Sequence, residues 1–418
     1  MHPAALPPQQ PPVKQTMAST VEKIRGDLPL LSATTGFIFA FRVCLTYLWF
    51  QDEPQTGTIV WLALSLALLT LAMLFSISSP VTVPTAYRTV PIRWAAAILG
   101  FSLVSLLWSE APIEAAAGYW LSWAADVATV WFLLRDADPE VKGAAIMKGF
   151  VSGACIVAII AWIIPAAFDL RLGDLDFLHP NVLGFVFSIA TLLAVHLAHE
   201  TTLWRWPALF LACTLLRTIS KSSIFAFLIA FSIYLIRDSA LSRKIKIRLA
   251  IFAGLIVASL SGLLEAYFTT YTAGTDPETL TGRTFIWAVS FEYALKKPIF
   301  GYGFYSYRFI VPRFGTFEAQ QAHNELLQQF FSFGAIGVLL TIGVYWTFFR
   351  QIRRASASNL KTLAGTILLL ALVRGLTDTQ IYDFSYPLWL LTMLSILLAC
   401  RTPQTQPEES AILETTTT

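Results

Sequence analysis

Charge is the scarcest ingredient of this sequence. Asp, Glu, Lys and Arg together make up 13% of 418 residues, about half the share found in soluble domains. That excludes an ordinary soluble globule and a disordered polyelectrolyte. Histidine occurs five times and cysteine four (Cys44, Cys155, Cys213, Cys400). The cysteines lie in or at the ends of apolar runs without CxxC spacing, which argues against a disulfide scaffold or a thiolate metal site and leaves small buried hydrophobes. The strict apolar–polar alternation of an outer-membrane barrel is lacking as well, and no internal repeat is visible. What the sequence has instead is 56% AVILMFWYC. That is about 234 residues, enough for about a dozen bilayer spans of about 20 residues each. The expected class is an all-α, polytopic integral membrane protein.

Residues 1–27 are rich in Pro and Gln and are expected to form a disordered tail, with the first apolar run acting as an uncleaved anchor. The polar segment 401–418 reads as a second disordered tail. Between them, 28–400 is the expected transmembrane domain. Twelve spans are predicted, at about 28–50, 57–77, 91–109, 113–134, 145–168, 180–199, 203–218, 219–236, 248–268, 325–349, 362–376 and 380–400.

Cytoplasmic loops of membrane proteins carry the excess of Lys and Arg. With both termini inside, 19 of the 29 cations fall in cytoplasmic segments, nine outside, and Arg42 within the first span. The nine that break the rule include Arg217, Lys221, Arg283, Lys296, Lys297, Arg308, Arg313 and Arg374. Five of these lie in one long outer connection, about 269–324, between the ninth and tenth spans. A connection of that length is functional or disordered, and its Tyr, Phe and Trp content argues for order. Within it Phe285–Leu295 reads as an amphipathic helix, expected to fold over the outer mouth of the bundle.

Four groups on that side could carry chemistry. Arg217 and Lys221, in LLRTISKSS, are four residues apart and share a face if the segment is helical; they form either a phosphate clamp or a snorkelling pair at two helix ends. Gly282 and Arg283, in LTGRTFIW, combine close backbone approach with a planar guanidinium fork. His323 and Asn324, in AHNELLQQFF, stand at the entry of the tenth span, where His323 is either a general base or a helix-capping residue. His179, in FLHPNVLGF, precedes Pro180 as a turn residue or a second polar contact, with Asn181 beside it; Arg374 and Asp378 complete the set of possible contributors. Arg42 lies about 12 Å deep, beyond comfortable snorkelling, and Asp126 in the fourth span is its expected ion-pair partner.

Two motifs do not carry their usual meaning. FGYGF at 300–304 lacks the Thr-Val lead of a potassium filter. Asp136–Asp138 and Asp174–Asp176 have the Asp-x-Asp form of metal-nucleotide sites, but the first lies in a short loop without a soluble domain and the second on the wrong side for nucleotide sugars. No His, Cys, Asp or Glu spacing argues for a bound metal.

The pieces LLWSEAP (106–112), HPNVLG (179–184), TISKSSIFAFLIA (218–230), LTGRTFIW with KKPIFGYGF (280–304) and AHNELLQQFFSFGAIG (322–337), in that order, resemble the O-antigen ligase and polysaccharide polymerase superfamily of bacterial membrane glycosyltransferases. The resemblance runs from the third span onward and is most specific over 280–340. It implies a glycosyltransferase-C-like membrane fold in the bacterial inner membrane with a periplasmic site. It also implies transfer of glycan from an undecaprenyl-pyrophosphate carrier to an acceptor, without a metal or other cofactor. Carried onto this sequence, Arg283 and His323 are the catalytic pair, and Arg217, Lys221 and Arg283 bind the pyrophosphate; Gly282 and Asn324 beside them are further candidate binding residues. Lys221 stands where the family often has Arg, so bidentate pairing is not implied there. The partners implied are the lipid-linked glycan, an acceptor glycan or lipid A-core, and membrane lipids, with no nucleic acid. An exopolysaccharide or O-antigen polymerase is favoured over a ligase. A flippase or other transporter is the reading from a different class; it would show two related halves joined by a long cytoplasmic connection, whereas here the longest connection is on the outer side.

Overall fold

The computed structural model describes residues 29–77, 89–135, 138–164, 171–173, 178–238, 242–244, 246–248, 251, 280–313, 319–379 and 388–401. Among these residues there is no strand. An apolar chain in lipid must satisfy its backbone hydrogen bonds within each segment, and the helix does so without edges.

The first helices are α1 (Pro29–Trp49), α2 (Pro54–Ile77), α3 (Val90–Val104), α4 (Ile113–Leu133), α5 (Pro139–Ile163) and α6 (Pro180–Leu197). They are followed by α7 (Arg205–Arg217), α8 (Lys221–Arg237), α9 (Leu280–Ala294) and the single turn α10 (Tyr307–Ile310). The chain continues with α11 (Glu325–Arg354), α12 (Asn359–Gly375) and α13 (Leu388–Cys400). Six helices among the described residues are long and apolar enough to cross a membrane: α1, α2, α3 (with the turn to Trp108), α5, α6 and α11. Helices stand at eleven of the twelve predicted spans; the ninth, 248–268, lies outside the described residues apart from 248 and 251. So do the start of the twelfth, the first tail, residues 402–418 of the second, residues 269–279 and 314–318 of the long connection, and Asp136, Asp174 and Asp176.

Proline and polar residues set the starts. Pro54, Pro139 and Pro180 open their helices, where a missing N–H costs nothing, and Ser358 Oγ accepts from Lys361 N to cap α12 at 3.2 Å. The core lies around α6 and α13, which are apolar on all sides and buried along most of their length. The expected intramembrane pair is present. Arg42 Nη1 donates to Asp126 Oδ1 at 2.8 Å and Nη2 to Oδ2, and Ser65 Oγ donates to Oδ1 at 3.0 Å. The guanidinium also lies over the Phe39 and Trp61 rings, so this one charge pair ties α1, α2 and α4.

One helix is broken where the sequence shows no break. In α11, Gly334 has φ 63° and ψ −156°, a conformation that favours glycine. A break inside an apolar helix strands backbone groups, and the KKPIFGYGF segment satisfies them. Tyr302 N donates to Phe331 O (3.0 Å), Gly303 N to Ser332 O (2.8 Å), and Ala335 N to Pro298 O (2.8 Å). Ser105 and Ser109, at the end of α3, hold the same segment through Phe304 N and Phe304 O at 3.0 and 2.7 Å. Within GYGF, the amides of Tyr302 and Gly303 therefore mend α11, a role the local structure gives this segment.

Candidate active site

The site begins with the end of α12. A helix C-terminus leaves carbonyls without partners and a partial negative charge. Here Asn324 Nδ2 donates to Leu376 O at 3.0 Å, and Arg283 Nη1 donates to Thr377 O. Asn324 works in both directions, because its Oδ1 accepts from Leu327 N at 3.0 Å and caps the start of α11. Arg283 reaches the same loop from the buried face of α9, with 7% of its surface exposed. Its Nε is buried with no hydrogen-bond partner among the described residues. Gly282 precedes it in the first turn of α9.

Asp378 is the hub of the loop. Arg374 Nη2 donates to its Oδ2 at 2.8 Å, and both side chains are 1% exposed. Gln321 Nε2 and Thr379 N donate to its Oδ1 at 3.2 and 3.0 Å. His323 Nδ1 stands 3.4 Å from the same oxygen. Burial alone would raise the Asp378 pKa; the Arg374 guanidinium first, then His323 and Arg283, outweigh it and hold the carboxyl well below the usual carboxylate range. His323 itself has φ 49°, a conformation uncommon outside glycine that concentrates at functional sites. Its carbonyl accepts from Trp287 Nε1 of α9 at 3.3 Å. Asn324, and not His323, performs the capping, which leaves the imidazole for other work.

A second polar cluster adjoins the first through Arg374. Its Nε donates to Ser223 Oγ of α8 at 3.4 Å, and its guanidinium lies over the Phe185 ring of α6. Ser220 Oγ donates to Asn181 Oδ1 at 3.0 Å, and Arg171 Nη2 donates to the same oxygen at 3.2 Å. A Cβ on Gly184 would stand 2.7 Å from Ser220 Cβ, so the glycine of HPNVLG is what lets α6 and α8 close around this cluster.

The predicted residues therefore separate into three groups. Arg283, His323, Asn324, Arg374 and Asp378 converge on one loop, with Gly282 adjacent to Arg283. Asn181 belongs to the adjoining cluster, whereas His179 is engaged structurally: its Nδ1 accepts from Asn181 N at 3.2 Å as the N-cap of α6. Arg217 and Lys221 do not share a helix face. Ile219, with φ 52°, breaks the chain between α7 and α8, leaving Arg217 half-buried at one helix end and Lys221 exposed at the next helix start. Arg171, Gln321, Ser220 and the buried Glu325 were not singled out in the sequence. Arg171 carried a signal, as the ninth cation assigned to the outer side by the expected orientation. Among the described residues no group of three or more His, Cys, Asp and Glu side chains could hold a metal ion.

Residues 206–342 match the family described as O-antigen ligase. That stretch contains Arg217, Lys221, Gly282, Arg283, His323 and Asn324. The resemblance to the O-antigen ligase and polymerase superfamily holds. The chain is also similar to the exopolysaccharide production protein ExoQ of Rhizobium meliloti (strain 1021), with 25% identity over 296 residues covering 62% of this chain. The match spans 65% of that relative, slightly less than two thirds of its length. His179, Asn181, Arg374 and Asp378 lie outside the O-antigen ligase match, so the hub carboxylate joins the site through the fold.

Proposed function

We propose that the chain is a metal-independent glycosyltransferase of the bacterial inner membrane. It polymerises or transfers undecaprenyl-pyrophosphate-linked glycan at the periplasmic face, with the polymerase reaction favoured. On this reading the bundle has about 12 spans in a glycosyltransferase-C-like arrangement, both termini are cytoplasmic, and the site lies at the periplasmic end. The observation that carries the reading is the meeting of Arg283 and His323 at the Leu376–Asp378 loop, beside a buried Arg283 Nε with a donor to spare.

Glycosyl transfer from a pyrophosphate breaks the anomeric C–O bond and leaves its electron pair on the phosphate oxygen. The main requirement is preorganised positive charge, which Arg283 supplies from a buried site. The acceptor hydroxyl forms the new bond and loses its proton. With Nδ1 turned to Asp378, His323 presents Nε2 to that hydroxyl as general base, and Asp378 positions the ring. The leaving pyrophosphate needs little protonation, so no acidic partner is required.

Arg283→Ala and His323→Ala are each expected to abolish glycan transfer while leaving membrane insertion intact; wild-type activity in either removes the assignment. The ligase reading is supported by the family's own description, the polymerase reading by the name of the exopolysaccharide relative. Gel analysis of a deletion strain separates them. Loss of secreted polysaccharide with a normal lipopolysaccharide ladder means polymerase, and the converse means ligase.

A further inference from the structure

Helix α9, expected to fold over the outer mouth of the bundle, divides its residues in an unusual way. Arg283, Ile286, Ser290 and Ala294, spaced at i, i+3, i+7 and i+11, are all buried and form one face. Away from that face Phe291, on its flank, is 50% and Leu295 53% exposed, and the chain continues through Ile299 (58%) and Phe300 (54%). A polar loop in water would not show four large apolar side chains in ten residues. The one carboxylate on that side, Glu292, pairs with Lys296 at 3.5 Å, and Lys296 lies over the Tyr293 ring. A lysine that can snorkel and a tyrosine with one wet end, both beside an apolar stripe, suit a membrane interface.

The stripe adjoins further exposed apolar surface on both sides. The Phe291 ring lies 6.0 Å from Phe330 of α11, a helix long and apolar enough to cross a membrane whose Leu326, Leu339 and Trp346 are exposed. The Phe300 ring lies 6.0 Å from Trp108 at the end of α3, next to the exposed Leu107. We infer that α9 and the segment through Phe300 lie in the bilayer interface, with this stripe set into the acyl chains of the leaflet at that end of the bundle. Such a helix has its apolar side about 5–10 Å into the headgroup–acyl boundary, so its inner face, with Arg283, sits at headgroup depth. The placement does not depend on which reaction the site performs.

The test uses the full chain in vesicles containing phosphatidylglycerol. An environment-sensitive fluorophore is attached to cysteine placed singly at Phe291, Leu295 and Phe300, with Gln320→Cys as an exposed polar control. The unsubstituted protein, labelled in parallel, gives the background from its own four cysteines. Labels at 291, 295 and 300 are expected to emit at shorter wavelength, to be quenched by nitroxides on the acyl chains, and to resist aqueous iodide; the label at 320 should do the reverse. Labels at 291 and 295 that behave like the one at 320 overturn the proposal. Quenching by lipid that appears only after a polyprenyl phosphate is added also overturns it, because the stripe would then be a groove for a carrier.

Discussion

At the residue scale, the site is held by charges that would be unaffordable alone. Removing one partner of a buried ion pair costs about 3–5 kcal/mol, because it leaves the other charge uncompensated. Asp378→Asn, which leaves Arg374 in that position, should lower the melting temperature of detergent-solubilised protein strongly. Arg374→Lys should be milder, since it keeps the charge and loses the fork. The sign of the pH dependence follows from the depressed folded-state pKa of Asp378. Its contribution is complete above the unfolded value of about 3.9 and declines as pH falls toward the lower folded value. The difference in melting temperature between wild type and Asp378→Asn should therefore shrink on acidification below about pH 4; a difference that grows instead would exclude the pairing as its cause. The same arithmetic applies inside the membrane. Asp126→Asn should be strongly destabilising, while the double replacement Arg42→Met with Asp126→Leu should recover most of the loss.

At the element scale, the helices were legible as apolar runs of span length, but their starts were read too late: the chain enters them at Pro54, Pro139 and Asn359 rather than at 57, 145 and 362. A helix within the long connection was legible as well. Two breaks were not. Ile219 has φ 52° although a β-branched residue gives no sign of it, so the spacing of Arg217 and Lys221 suggested a common face that does not exist. The break at Gly334 sits inside FFSFGAIGVLL, an apolar run that reads as one uninterrupted span; only the loop that comes back from Pro298–Gly303 explains it. Gly334→Ala adds a Cβ against the Ile299 carbonyl at a positive φ, a strain of about 1–3 kcal/mol. We expect a lower melting temperature and a loss of glycan transfer, since the first half of α11 carries His323 and Asn324 at its start. Retained stability together with retained activity would show that the break is not needed to place them.

At the scale of the whole molecule, the first observation about charge and the last one meet. The chain is poor in charge, yet Arg171, Arg283 and Arg374 are all buried at one end, against the buried carboxylates Asp378 and Glu325 among the described residues. With both termini placed in the cytoplasm, as proposed, this imbalance was readable in the sequence as cations that break the orientation rule. Their convergence was not, because it depends on α6, α8, α9, α11 and α12 ending at the same level. Buried cations in excess favour whichever state brings them an anion, and a ligand that binds only the folded protein raises its stability by mass action. Inorganic pyrophosphate should therefore raise the melting temperature of the wild-type protein, and the increase should be lost in Arg283→Ala, whose free Nε donor is the group best placed to receive it. The increase should survive EDTA, because the positive charge belongs to the guanidinium groups. An increase that needs a divalent metal, or one that persists undiminished in Arg283→Ala, would mean that the anion is held elsewhere or through a metal bridge.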